Sequence, residues 1–167
     1  MLKGMTLRKI IEFAVTTEEL GAKFYDRMAQ RFADKPDVAA VFSQLARDEQ
    51  AHRGQFRALL DKAPATYDDE VDYERAQYLR AYAISEFFAP SSGPFRRAEE
   101  ISDSEEALWH ALDLERTALG LYRAIRDELG RSEALDSIIA AEKEHLSRLM
   151  KVVTTGAKFR GIQDDWP

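Results

Sequence analysis

The residues of this chain that can do chemistry stand in a doubled pattern. Glu49-Gln50-Ala51-His52 and Glu142-Lys143-Glu144-His145 are two Glu-x-x-His units. Residues three apart on a helix share a face, so each unit aims one carboxylate and one imidazole in the same direction. Each is half of a metal site, and two such halves facing each other would hold two metals. Upstream of each lies a glutamate followed seven residues later by a tyrosine, Glu18 with Tyr25 and Glu115 with Tyr122. The order Glu, Tyr, Glu, His thus occurs twice, as an internal repeat. A single Glu-x-x-His in a helical protein is a weak sign, because charged surface helices produce it often. The doubled set in one order is a strong one.

The elements that must position these groups are helices, expected at about 6–33, 37–61, 103–129 and 132–156, with a shorter one at 74–88. The first carries an apolar stripe of Leu7, Ile11, Ala14, Gly21 or Ala22, Tyr25, Met28 and Phe32, and Glu18 falls inside it. Thr6 is placed to cap it. Residues 34–36 form a short connection, with Pro36 suited to a helix start. The second stripe is Val38, Val41, Leu45, Glu49, His52, Phe56 and Leu59. The third is Leu108, Ala111, Glu115, Ala118, Tyr122, Ile125 and Leu129, with Ser102 and Glu105 as a capping box and Gly130 as its end. The fourth, capped by Ser132, is Leu135, Ile138, Glu142, His145, Leu149 and Val152.

Short links make helices one and two, and three and four, antiparallel neighbours. Residues 62–102 are long enough to return the chain along the bundle, so the third helix runs parallel to the second. Within that link, residues 89–94 break the 74–88 helix, and its aromatic side chains are expected to pack on the bundle. The fold class is therefore all-α: a single domain forming a four-helix bundle of two antiparallel hairpins joined by a long crossover.

Four carboxylates on core stripes need a reason. A buried, unpaired carboxylate costs several kcal/mol, and four in one core would repel one another. Protonation, pairing with buried cations or metal binding would each relieve this. Lys23, Arg47, Arg116 and Lys143 lie off the stripes and reach solvent, so metal is the economical answer. Four glutamates supply four negative charges, two neutral histidines none, and two divalent ions restore neutrality. Carboxylate and imidazole without thiolate suit iron or manganese, with zinc as a further candidate. Asp48, Glu144 and Glu19 are expected to be solvated neighbours, and His110 a surface residue.

Composition narrows the function classes. A chain of 167 residues has room for one sizeable core, and a net charge of −6 with a pI near 5.2 argues against a nucleic-acid or anionic-membrane surface. No apolar run reaches the length of a membrane span, and the start, Met1-Leu2-Lys3-Gly4-Met5, lacks the features of a signal peptide. With no cysteine, the chain forms no disulfide, thiolate zinc site or iron–sulfur cluster. A cytoplasmic location is the expectation.

The segment 18–25, Glu-Glu-Leu-Gly-Ala-Lys-Phe-Tyr, together with Asp48 to His52, Glu115 to Tyr122 and Glu142 to His145, resembles the motifs of the ferritin-like superfamily, nearest its rubrerythrin-type members. The likeness covers most of residues 6–156. One glutamate from each of two helices and a Glu-x-x-His from each of the other two is the ligand set of such di-iron proteins. The resemblance implies that Glu49 and Glu142 bridge two metals. Glu18 and Glu115 would then be terminal carboxylates and His52 and His145 terminal imidazoles. Tyr25 and Tyr122 would be hydroxyl donors that hold carboxylates from outside the metals.

The departures also matter. Many rubrerythrins append a four-cysteine rubredoxin site, which this chain lacks. Their extra third-helix glutamate is replaced here by Ala118. Gln50 stands where bacterioferritins carry the haem methionine, so no haem is expected. The stretch after Gly156 hardly provides the fifth helix of a ferritin cage. The resemblance implies a redox enzyme with two iron ions that reduces hydrogen peroxide. It would take electrons from an outside rubredoxin-like protein or reductase and form a homodimer. An Fe(II)-oxidising or iron-binding protein, a di-iron hydroxylase and a structural zinc-holding dimer are the alternatives.

Overall fold

The computed structural model describes residues 6–68, 100–130 and 132–159. These residues form four long α-helices, α1 (Leu7–Arg31), α2 (Pro36–Asp61), α3 (Ser104–Leu129) and α4 (Glu133–Phe159), with a short 3-10 turn at Ala65–Asp68. The expected 74–88 helix and the residues beyond 159 lie outside the described residues.

Local chemistry sets the helix ends. The Thr6 hydroxyl accepts from the Lys9 amide at 3.2 Å and starts α1. Pro36 occupies the first turn of α2, where its missing N–H leaves no bond unmade. The expected capping box at Ser102 gives way to Asp103, whose Oδ2 accepts from the amides of Glu105 and Glu106 at 3.0 and 3.1 Å. An aspartate one residue nearer the helix satisfies two amides at once and brings a negative charge to the positive end of the helix. Ser132 Oγ accepts from the Leu135 amide at 3.2 Å and starts α4. Gly130 closes α3 with φ 78° and ψ 178°, a region that only glycine enters freely.

α1 packs along α2 and α3 along α4, and α1–α3 and α2–α4 contacts close the bundle. α2 and α3 start at the same end, where Lys35 Nζ lies 2.7 Å from Ser104 Oγ and Arg31 bonds the Ile101 carbonyl. The two helices therefore run parallel. The stripes are buried with one rotation. On α2, Phe42 is fully buried while Val38 and Val41 are only partly so. The reason is packing: the Phe42 ring stacks on Tyr25 of α1 with centroids 6.1 Å apart. Ile11, Met28, Leu45, Phe56, Leu112, Leu121 and Leu149 fill the rest of the core.

Gly130 yields a direct test of the α3–α4 corner. A methyl there would meet nothing within 4 Å, so the penalty is conformational alone. Gly130→Ala should cost about 1–3 kcal/mol of unfolding free energy, measured by chemical denaturation; no loss would mean the corner adjusts freely.

Candidate metal centre

Each helix delivers its polar residue to one level of the core. Glu18 and Glu142 are 0% exposed, Glu115 and His145 1%, His52 4% and Glu49 5%. Among the described residues, two groups of donor atoms lie within 4.8 Å of one another: Glu18, Glu49, His52 and Glu142, and then Glu49, Glu115, Glu142 and His145. Glu49 and Glu142 belong to both. All six predicted residues therefore converge, and the two stripe-borne Glu-x-x-His units face each other across the bundle. The imidazole rings stack with centroids 5.4 Å apart.

Both imidazoles turn Nδ1 inward. His52 Nδ1 lies 2.9 Å from Glu142 Oε1, and His145 Nδ1 lies 3.1 Å from Glu115 Oε2. The tyrosines act crosswise. Tyr25 Oη donates to Glu115 Oε1 at 2.6 Å, and Tyr122 Oη donates to Glu18 Oε1. Each repeat thus holds the outer carboxylate of the other. Phe56 packs on the Tyr122 ring at 4.9 Å and fixes it from the far side.

Several donor atoms remain without a hydrogen-bond partner: Glu18 Oε2, Glu49 Oε1, both Glu142 oxygens and His52 Nδ1. Buried polar atoms are normally satisfied. Here they share the space between six donors of a type that binds hard and borderline cations, which fits metal binding. The charged side chains nearby are otherwise engaged. Lys23 pairs with Glu19 at 2.7 Å and Arg116 with Asp113 at 3.2 Å, all on the outer surface.

Without metal, protons take the place of the cations. Burial pushes Glu18 and Glu115 up to about 8. Burial also lifts Glu49 well above the ordinary carboxylate range, and the charges of Glu18 and Glu142 add to it. Burial acts on Glu142 as well, but the close imidazoles of His145 and His52, at 3.7 and 2.9 Å, outweigh it and hold that carboxyl at about 2. For His145, burial opposes the cation, yet bonds to Glu115 and Glu142 push it up to about 11. Burial and the Glu115 charge raise Tyr25, and burial and the Glu18 charge raise Tyr122, so both phenols stay protonated.

Three residues near the centre were not singled out by their types. Gly21 lets α1 approach α2, since a methyl there would lie 3.2 Å from Glu49 Oε2. Asp48, expected to be a solvated neighbour, is partly buried, with Oδ2 3.3 Å from His145 Nε2. Arg148 donates to the same Asp48 oxygen at 3.0 Å. The only hint in the sequence is position, because Asp48 adjoins Glu49 and Arg148 stands one turn beyond His145. His110 is half-buried against the Phe24 ring, with centroids 5.5 Å apart, and not fully on the surface.

One cavity touches the centre and another lies away from it. A cleft of about 10 Å³, lined by Thr17, Gly21, Tyr25, Glu49, Leu114, Glu115 and Ala118, reaches two of the carboxylates. A groove of about 820 Å³ at the bundle end contains none of the six residues, although Gln44 and Arg148 line its wall. No helix among the described residues is long and apolar enough to cross a membrane.

The rubrerythrin family model matches residues 9–153. A solved structure from Thermotoga maritima, assigned as a ferritin-like diiron-carboxylate protein, is 24% identical over 90% of this chain and 96% of that one, with a TM-score of 0.68. That likeness shows the ferritin-like fold. No match is found among curated proteins.

The proton loading predicts a pH dependence. Glu18 and Glu115 keep protons in the fold that the unfolded chain sheds above 4.5, so their contribution is full below 4.5 and lost as pH rises through about 8. His145, raised from 6.5 to about 11, extends that loss upward. The Tm difference between metal-loaded and metal-free protein should therefore widen from about pH 5 to about pH 8; a constant difference would mean that protons and metal do not compete. Gly21→Ala should separate fold from site. Helix propensity favours the metal-free form by about 1 kcal/mol, while the displaced Glu49 weakens metal binding, so melting and calorimetric titration should move in opposite directions.

Proposed function

The chain belongs to the rubrerythrin family, and on that premise we propose that it is a di-iron oxidoreductase that reduces hydrogen peroxide with electrons from an outside donor. The observation that carries this reading is the pair of four-donor groups sharing Glu49 and Glu142. In it, Glu18, Glu49, His52 and Glu142 would hold one ion and Glu49, Glu115, Glu142 and His145 the other. Four carboxylates balance two divalent ions, so the loaded core carries no net charge. Iron is our assignment because the chain belongs to the rubrerythrin family and its carboxylate and imidazole donors suit that metal.

When bound, two ferrous ions supply one electron each, the pair that converts hydrogen peroxide and two protons to two waters. The chain's own part is to hold and to exclude. The Nδ1 atoms of His52 and His145 are aimed inward by their helices, and the carboxylates are spaced by the four-helix packing. Tyr25 and Tyr122 keep the outer carboxylates from rotating, and their raised phenols remain donors throughout the neutral range. Leu112, Leu121, Phe42 and Phe56 are fully or almost fully buried in the surrounding core and keep bulk water out. The cleft beside Glu49 and Glu115 has room for about one water-sized molecule. That size supports a small oxidant over the organic substrate of a hydroxylase. With no cysteine, the chain holds no thiolate iron centre of its own, so turnover needs a separate donor such as a rubredoxin-like protein or a reductase.

Stopped-flow absorbance of the Fe(II)-loaded protein tests the reading. Oxidation by peroxide should outpace oxidation by equimolar oxygen, stop after one event, and resume when a donor is added. Equal rates, with Fe(II) taken up beyond two per chain, would establish an iron-oxidising protein instead. Glu49→Ala should lose at least one of the two metals, while Glu19→Ala, on the surface beside Lys23, should keep both; metal analysis of the two variants checks this.

A further inference from the structure

The two halves of the centre are alike in their donors and unlike behind them. His145 Nε2, which faces away from the other donors, lies 3.3 Å from Asp48 Oδ2. Both oxygens of that carboxylate are held. Gln44 Nε2 donates to Oδ1 at 2.8 Å, and Arg148 Nη1 donates to Oδ2 at 3.0 Å. Arg148 is in turn fixed by Glu144 at 2.7 Å. Asp48 directly precedes Glu49, so one turn of α2 sends a carboxylate into the centre and another behind the histidine of α4. In the internal repeat the residue matching Asp48 is Ala141, and the residue matching Arg148 is Gln55. An alanine methyl cannot accept a hydrogen bond, so the helix facing His52 offers no matching carboxylate at that position.

The consequence follows from imidazole chemistry. A neutral ring that gives its Nδ1 lone pair to a metal carries its hydrogen on Nε2. A carboxylate at Nε2 fixes that tautomer and the ring's orientation, and makes Nδ1 more basic. Loss of such a partner typically lowers metal affinity 10–100-fold. We propose that Asp48 is a positioning residue that makes the two metal positions unequal. The position formed by Glu49, Glu115, Glu142 and His145 binds its ion more tightly than the one formed by Glu18, Glu49, Glu142 and His52. This rests on the two-metal reading above and not on the identity of the oxidant.

Two ions in one centre repel each other, so a two-step titration of the unaltered protein would not isolate the effect. Variants that keep one histidine do. His52→Ala preserves the position backed by Asp48, and His145→Ala preserves the other. Calorimetric titration of each metal-free variant with Co(II) should give one ion per chain, bound at least about ten-fold more tightly by His52→Ala. Adding Asp48→Asn should weaken binding by about 10–100-fold in the His52→Ala background and by less than about two-fold in the His145→Ala background. The second background is also the folding control, since a general structural defect would weaken both. Equal affinities in the two single-histidine variants, or an equal loss from Asp48→Asn in both, would overturn the proposal and leave the two-metal reading standing. Failure of the unaltered protein to bind Co(II) at all would remove both.

Discussion

Four glutamates buried at one level of a helical core are the constraint on which this structure depends. Each carboxylate buried as an unpaired charge would cost several kcal/mol, and burial together with the charge of Glu142 raises Glu18, Glu49 and Glu115. The bundle does not answer with lysine or arginine, whose charged ends are turned outward toward Glu19, Asp113 and Asp48. It answers with two histidines, two tyrosines and shared protons, and it leaves several oxygens without any partner. Elsewhere the core is ordinary aliphatic and aromatic packing. That contrast, unsatisfied oxygens inside a well-filled bundle, is what a cation pair would resolve.

The centre is held by both hairpins jointly. Tyr25 of the first hairpin bonds Glu115 of the second, and Tyr122 of the second bonds Glu18 of the first. Neither hairpin alone carries a complete set of four donors, because each four-donor group draws on both. Docking of the hairpins therefore builds the site, and the close α1–α2 approach at Gly21 sets where Glu49 can stand. The same packing leaves a narrow cleft beside Glu49 and Glu115.

An internal repeat need not stay symmetric outside its ligands. The donors match residue for residue, while Asp48 and Arg148 have Ala141 and Gln55 as their counterparts. Drift of this kind costs little on a partly exposed helix face, yet here it falls directly behind one of the two histidines. A symmetric donor set thus sits in an unsymmetric frame.

Much was legible in the chain itself. Helical periodicity is a local property, so the stripes could be traced from residue types alone, and Glu18, Glu49, Glu115 and Glu142 stood out as breaks within them. Caps are local too: Thr6, Pro36, Gly130 and Ser132 act where their types indicate, whereas Asp103 displaced Ser102 because two adjacent residues competed for one helix end. What only the tertiary structure decided are contacts between residues 90 to 104 positions apart: which tyrosine serves which glutamate, and that Arg148 of α4 braces Asp48 of α2. The rotation that buries Phe42 in place of Val38 and Val41 belongs with these. No spacing rule within one helix encodes such pairs. They depend on the register at which two hairpins dock, which is set by the fit of side chains such as Phe42, Tyr25 and Phe56 across the whole core.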